Sequence, residues 1–298
     1  MSYLDLCGHK YLPKEIVRIQ GLQPHPTMKI AGAAYGLQAK KETTLLYRNL
    51  IQVLGHFLIL TQAIGDCVSF GMAGAINVLK ATQIVLNASE DWKGPTATEP
   101  IYALSRVEVG GRQLAGNDGS CGAWAAQAVK TYGTLVRDIY GKYDLRNYSG
   151  QVAKNWGESG LPDELEPTAH EHLVKTVTQV TTVEDAIASI TNGYPFTIAS
   201  NQGFQNVRDK NGFSWPQGAW PHQMYIDSYR TDIEGFLVVN SWGPNWITGP
   251  KFPEDQPDGS FWISAEVLEN IFSTGDADCW SISSFNGYPP QEINLEIV

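Results

Sequence analysis

The stretch CVSFGMAGAINVLKATQIVL, residues 67–86, limits what this chain can fold into more than any other. Its apolar pattern predicts a helix, and Gly71, Gly74 and Ala75 give that helix a face of small residues. Small side chains let a neighbouring backbone come close, as a central, buried helix requires. At 298 residues the chain is long enough for one large domain or for two lobes with substantial cores. No run of 18 uninterrupted apolar residues occurs, and the start, MSYLDLCGHKYL, lacks the basic–apolar–small pattern of a signal peptide. The expectation is a soluble, cytoplasmic protein.

Around the central helix the other elements follow in order. Residues 1–54 read as an N-terminal arm of open role, with Pro13, Pro24 and Pro26 interrupting any helix, and 41–60 fit either a helix or a buried strand. ASEDWKGPTATEP reads as a loop, GAWAAQAVKTYG as a helix stopped by Gly133, and VEDAIASI as a third helix ahead of the strand FTIAS. A hairpin, a proline-rich insertion at 244–259, the strand FWIS and a strand-like tail, CWSISSFNGYP, complete the chain. Helices early and strands late predict an α+β fold, with a helical lobe over about 55–175 and a β lobe over about 176–298.

Charge and histidine spacing bound the chemistry. A net charge of −10 without a basic block argues against nucleic acid and anionic membrane as partners. His170 and His172 are offset by two and diverge on a helix, so no metal or other cofactor is expected. Cys7, Cys67, Cys121 and Cys279 show no CxxC and no framework spacing, which fits free thiols in a reducing compartment.

The segment 220–246, WPHQMYIDSYRTDIEGFLVVNSWGPNW, carries the strongest chemical signal. QMYIDSY and GFLVVN read as two strands, and a turn over Arg230-Thr231-Asp232 places His222 and Asn240 side by side, roughly 5 Å apart. An amide oxygen there would hold the imidazole in one tautomer and leave its other nitrogen for proton transfer. The two residues alone fit equally well as a satisfied strand-end histidine and a turn asparagine.

Two cysteines begin predicted helices, where unpaired amides and the helix dipole favour a thiolate. Cys67, in QAIGDCVSF, has Gln62 five residues ahead. A side-chain amide beside the cysteine's own N–H could form an oxyanion hole. Cys121, in GNDGSCGAW, has Gln113 eight residues ahead, a looser arrangement.

Here the chain resembles the papain-like cysteine proteases, and the resemblance decides between the two cysteines. That family's nucleophile motif is Gln, a short turn, then Cys-Trp-Ala-Phe entering the central helix; Gln62, Gly65, Cys67 and Phe70 fall onto it, with Val68 and Ser69 as departures. Asp118-Gly119-Ser120 before AWAAQAVKTYG resembles the family's Asn-Gly-Gly loop and helix. The resemblance then continues through Asn192-Gly193-Tyr194-Pro195, His222, Asn240-Ser241-Trp242-Gly243, the strand at 259–262 and Ser283-Ser284-Phe285. It covers roughly residues 55 to 290 in the family's order.

The resemblance implies a two-lobed fold and a peptidase acting on a peptide or protein substrate. Cys67 would be the nucleophile, His222 the acid/base, Asn240 its orienting partner and Gln62 an oxyanion donor. Gly119 and Ser120 would pair with substrate backbone, Cys121 would border the specificity pocket, and Trp242 would shield the His222–Asn240 bond.

Several departures set limits on what carries over. The Gln62–Cys67 gap is one residue short, Pro221 replaces a polar residue, and the family's disulfide partners are missing near Asn117 and Cys279. No pro-segment motif is visible in residues 1–54. The Gly-Asp-Cys-Val-Ser variant is similar to bacteriophage-encoded members, which suggests a virion or maturation role. The alternatives are a catalytically silent binding or virion structural protein on the same scaffold, or an acyltransferase or amidase using the same triad.

Overall fold

A computed structural model of the chain describes residues 4–6, 9–11, 27–87, 92–275 and 277–285. Cys7 and the prolines at 13, 24 and 26 lie outside these residues. Two short strands, β1 (Leu4–Leu6) and β2 (His9–Tyr11), pair antiparallel, and α1 (Met28–Tyr35), β3 (Thr44–Leu45) and α2 (Tyr47–Leu54) follow. The helical part comprises α3 (Cys67–Asn87), α4 (Thr98–Leu104), a π-helical turn at Ser105–Val109, α5 (Gly122–Thr131), α6 (Gly150–Ser159) and α7 (Glu166–His170). Between α5 and α6 lies a small hairpin of β4 (Ile139–Tyr140) and β5 (Tyr143–Asp144).

The sheet part begins with β6 (Val174–Gln179), α8 (Val183–Thr191) and β7 (Phe196–Phe204). It continues through β8 (Pro216–Arg230), β9 (Gly235–Val239), β10 (Ser260–Ser264), α9 (Ala265–Ser273) and β11 (Asp278–Phe285). The strands form one antiparallel sheet in the order β10-β9-β8-β7-β11-β6, with β3 also paired to β8. The last of these strands in sequence is therefore inserted between β7 and β6. This is the α+β division expected from the sequence.

Two expectations need adjustment. A boundary at residue 54 separates an arm from a body, but β3 pairs with β8 and α2 buries Tyr47 and Leu50. Tyr47 Oη also donates to Asp255 at 3.0 Å, and Arg48 pairs with the same carboxylate at 2.7 Å. Residues 44–54 thus belong to the sheet-side body. The loop expected at 88–100 gives way at Thr98, where α4 begins.

The central helix is as buried as its small-residue face demands. It meets the length and hydropathy of a membrane span, yet 89% of that window is buried inside the protein. A Cβ at Gly71 would lie 2.9 Å from the Met224 carbonyl oxygen, and one at Gly74 would overlap the Tyr225 ring. The two glycines are what let α3 press directly onto β8. Apolar side chains of α3, α5 and the sheet share one core, while Leu104, Leu135, Leu145, Leu161 and Leu165 build a second under the helical part.

Candidate functional site

Cys67 is the first residue of α3 and is 7% exposed. The turn before it is tight: Asp66 N–H donates to Ile64 C=O at 2.9 Å. Asp66 C=O then accepts from Ser69 N–H at 2.9 Å and Phe70 N–H at 3.3 Å, starting the helix. Gly65 is required in this turn because a Cβ there would meet Asp118 Cβ at 2.8 Å.

Gln62 is fixed from two sides. Its Oε1 accepts from Ser241 Oγ at 2.6 Å and its Nε2 donates to Ile64 C=O at 2.8 Å, which leaves the second Nε2 hydrogen for a ligand. Its backbone N–H donates to Ser241 C=O at 2.9 Å. The serine of the Asn-Ser-Trp-Gly tetrad therefore orients the glutamine amide, a role that the sequence reading missed. No local signal marks it, because 179 residues separate the two.

His222 lies on β8 opposite Ser200 of β7 and is 6% exposed. Its Nε2 is 2.7 Å from Asn240 Oδ1. Oδ1 also accepts from Ser241 N–H at 2.7 Å, and a backbone donor fixes that atom as the oxygen. Nε2 must then carry the hydrogen, leaving Nδ1 for proton transfer. Burial pushes His222 down to about 4, with the Asn240 bond pulling the other way.

The expected pairing holds by a different route from the one anticipated. Arg230 pairs with Gly235 and Tyr229 with Phe236, so the turn centres between 232 and 233 and not on Thr231. A register shift between Ile226 and Ser228 follows, and Val239 pairs with Tyr225. Asn240 lies just past β9 and reaches His222 diagonally through its side chain.

The next residues in the chain tie these two parts together. Gln223, after His222, donates from Nε2 to the carbonyl of Val68, after Cys67, at 3.0 Å. The close approach of Gly71 to Gln223 and Met224 holds the same pair of elements one turn further on.

Aromatic rings wall the histidine. Trp242 packs on it at 4.6 Å between centroids and Trp220 at 5.5 Å. Trp220 and Trp246 lie 4.9 and 5.5 Å from Trp242. Trp246 belongs to the proline-rich insertion, which therefore packs against this aromatic wall. Trp242 itself is 39% exposed and offers a face to solvent. Trp220 and Trp246 were not singled out from sequence, although both lie within four residues of His222 or Trp242.

In the loop at 118–121, Gly119, Ser120 and Cys121 are all buried. Gly119 spends its N–H on Tyr102 Oη at 2.9 Å, and its carbonyl accepts from Arg106 Nη1 at 2.5 Å. Ser120 Oγ pairs with Ser105 Oγ at 2.9 Å. The Gly119 backbone groups and the Ser120 hydroxyl are thus engaged inside the protein. Cys121 is 0% exposed. Arg106 organises this loop through Gly119, Leu114, Gly157 and Glu158, a hub invisible to local sequence patterns.

No family model and no curated protein matches the chain. Solved structures do. Xylellain, a cysteine protease from Xylella fastidiosa, aligns with a TM-score of 0.53 at 17% identity, covering 91% of this chain and 90% of its own. Procathepsin B S9 from Trypanosoma congolense aligns with a TM-score of 0.52 at 10% identity, covering 89% and 85%. At such identities the likeness establishes the fold, which is papain-like.

Proposed function

We propose that the chain is a cysteine peptidase that hydrolyses peptide bonds through an acyl-enzyme on Cys67. The observation that carries this reading is the 2.7 Å His222–Asn240 bond, set beside the head of the helix that Cys67 begins. The description of xylellain as a cysteine protease on the same fold supports it.

In this mechanism the Cys67 proton passes to His222 Nδ1 as sulfur attacks the peptide carbonyl. The Cys67 N–H and the remaining Gln62 Nε2 hydrogen hold the oxyanion, each contributing about 3 kcal/mol to lowering the barrier. His222 then protonates the leaving amine as the C–N bond breaks. Water attacks the thioester, gives its proton to His222, and the proton returns to sulfur as the S–C bond breaks. Burial disfavours an isolated imidazolium at position 222, so the sulfur and the ring exchange one proton as a coupled pair. Trp242 covers the His222–Asn240 bond and its exposed face borders the leaving-group side.

Treatment with an epoxide-type thiol reagent, followed by peptide mapping, tests the assignment. Labelling of Cys67 is expected, and labelling of Cys121 in its place would overturn it. A broad peptide library left intact by a protein whose Cys67 is labelled would favour a silent scaffold or another acyl acceptor.

A further inference from the structure

The reading of Cys67 as nucleophile, on which this inference rests, leaves a buried acid beside it without a role. Asp66 is 0% exposed and immediately precedes Cys67. Aspartate at a helix start ordinarily turns its carboxylate onto the first amides of the helix. Here the carboxyl turns away: Oδ2 accepts from Tyr148 Oη at 2.8 Å, and Oδ1 has no hydrogen-bond partner. An ionised carboxylate with one oxygen bare in the interior is poorly solvated, whereas a neutral acid tolerates the same surroundings.

Tyr148 ties this acid to the rest of the turn. Its Oη also accepts from Ala63 N–H at 3.4 Å, and its ring meets Phe70 edge-on at 4.9 Å. One phenol oxygen therefore links the residue after Gln62 to the residue before Cys67.

The charged groups facing Asp66 do not neutralise it. Glu99 and Asp118 are both acidic and disfavour its ionisation. The nearby cations are engaged elsewhere: Arg137 with Glu99 at 2.7 Å and Arg106 with Glu158 at 2.8 Å. Burial, which the Tyr148 bond only partly offsets, raises Asp66 to about 7. Burial holds His222 mainly in its neutral form, so it supplies little compensating charge.

We propose that Asp66, held by Tyr148, is a positioning residue that sets the charge Cys67 can carry. Protonated, Asp66 lets negative charge develop on the sulfur; ionised, it opposes that charge, and Cys67 loses reactivity as pH rises through neutrality. The step is the loss of one proton from the carboxyl to solvent, with no other bond made or broken.

The test is the rate of Cys67 alkylation by iodoacetamide between about pH 5 and pH 8, mapped by mass spectrometry, in wild type, Asp66→Asn and Tyr148→Phe. The ratio of the Asp66→Asn rate to the wild-type rate is expected to rise about tenfold across that range, the effect of one like charge. Tyr148→Phe removes the phenol donor to the carboxyl, so the wild-type loss of reactivity should set in at higher pH. Should Asp66→Asn fail to fold, that upward displacement decides the matter, and an unmoved Tyr148→Phe profile overturns the inference. A flat Asp66→Asn ratio overturns it while leaving Cys67 as the nucleophile. A rising ratio in a protein that cleaves no peptide sustains it and overturns the peptidase reading. Cys67 inert to alkylation at every pH overturns both.

Discussion

Among the described residues two helices start at or just after a buried cysteine, and their heads are built differently. At the head of α5, Cys121 is the residue before the helix, and the first amides are taken by Asp278, whose carboxylate accepts from Ala123 N–H at 3.0 Å. An acid from β11 thus partners the first turn of that helix, and its cysteine is buried. At the head of α3, Asp66 occupies the corresponding position but sends its carboxyl to Tyr148, away from the helix. Val68, next to Cys67, accepts from Gln223, the residue after His222, and Gln62 is held by Ser241. A thiol at a helix start is therefore common property of both; a bond to the histidine-bearing strand belongs to one.

Substitutions can break or sharpen this contrast. The largest effect is expected from Cys67→Ala, which should cost about 10⁴-fold or more in peptide hydrolysis. Cys121→Ala should leave activity within about twofold and cost roughly 1 kcal/mol of stability, measured by denaturant unfolding. His222→Ala should make the first head resemble the second. A loss of about 10³-fold in kcat/KM is expected, with Cys67 alkylation moving towards that of a plain thiol, which titrates at about 8.5.

Asp278→Ala tests the second head from the other direction. It strips the partner from Ala123 N–H and from the Trp280 indole, and should cost about 2–4 kcal/mol in unfolding measurements. Cys121 should still resist labelling in the folded protein, because it is fully buried; rapid labelling there would dissolve the contrast. The smallest effect is expected from Trp242→Ala, which admits water to the His222–Asn240 bond. About a tenfold fall in kcat/KM is expected with little change in stability, since the ring is already 39% exposed.

What sequence made legible follows the reach of each interaction. The central helix was readable because its apolar run and its glycines are local, and both glycines meet β8 as a buried face requires. His222 and Asn240 were readable as a pair because a hairpin brings near neighbours together. Their register was not, since an irregularity between Ile226 and Ser228 and a longer turn, with Glu234 at φ 44, displace the centre. The Asp66–Tyr148 bond spans 82 residues and the Gln62–Ser241 bond 179, and no pattern in the chain announces either. Gly119 and Ser120 show the converse: the motif is visible in sequence, but the bonds that hold it, from Tyr102, Arg106 and Ser105, are not.

The position of β11 bears on the order in which the sheet can come into being. Residues 278–285 pair with both β7 and β6 and supply Asp278 to the head of α5. During synthesis β7, β8 and β9 can pair as soon as they emerge, but β6, made before all three, has no place in the sheet until this later strand arrives to bridge it to β7. The sheet is therefore completed by a pairing between segments about a hundred residues apart, the slow, non-local kind of contact.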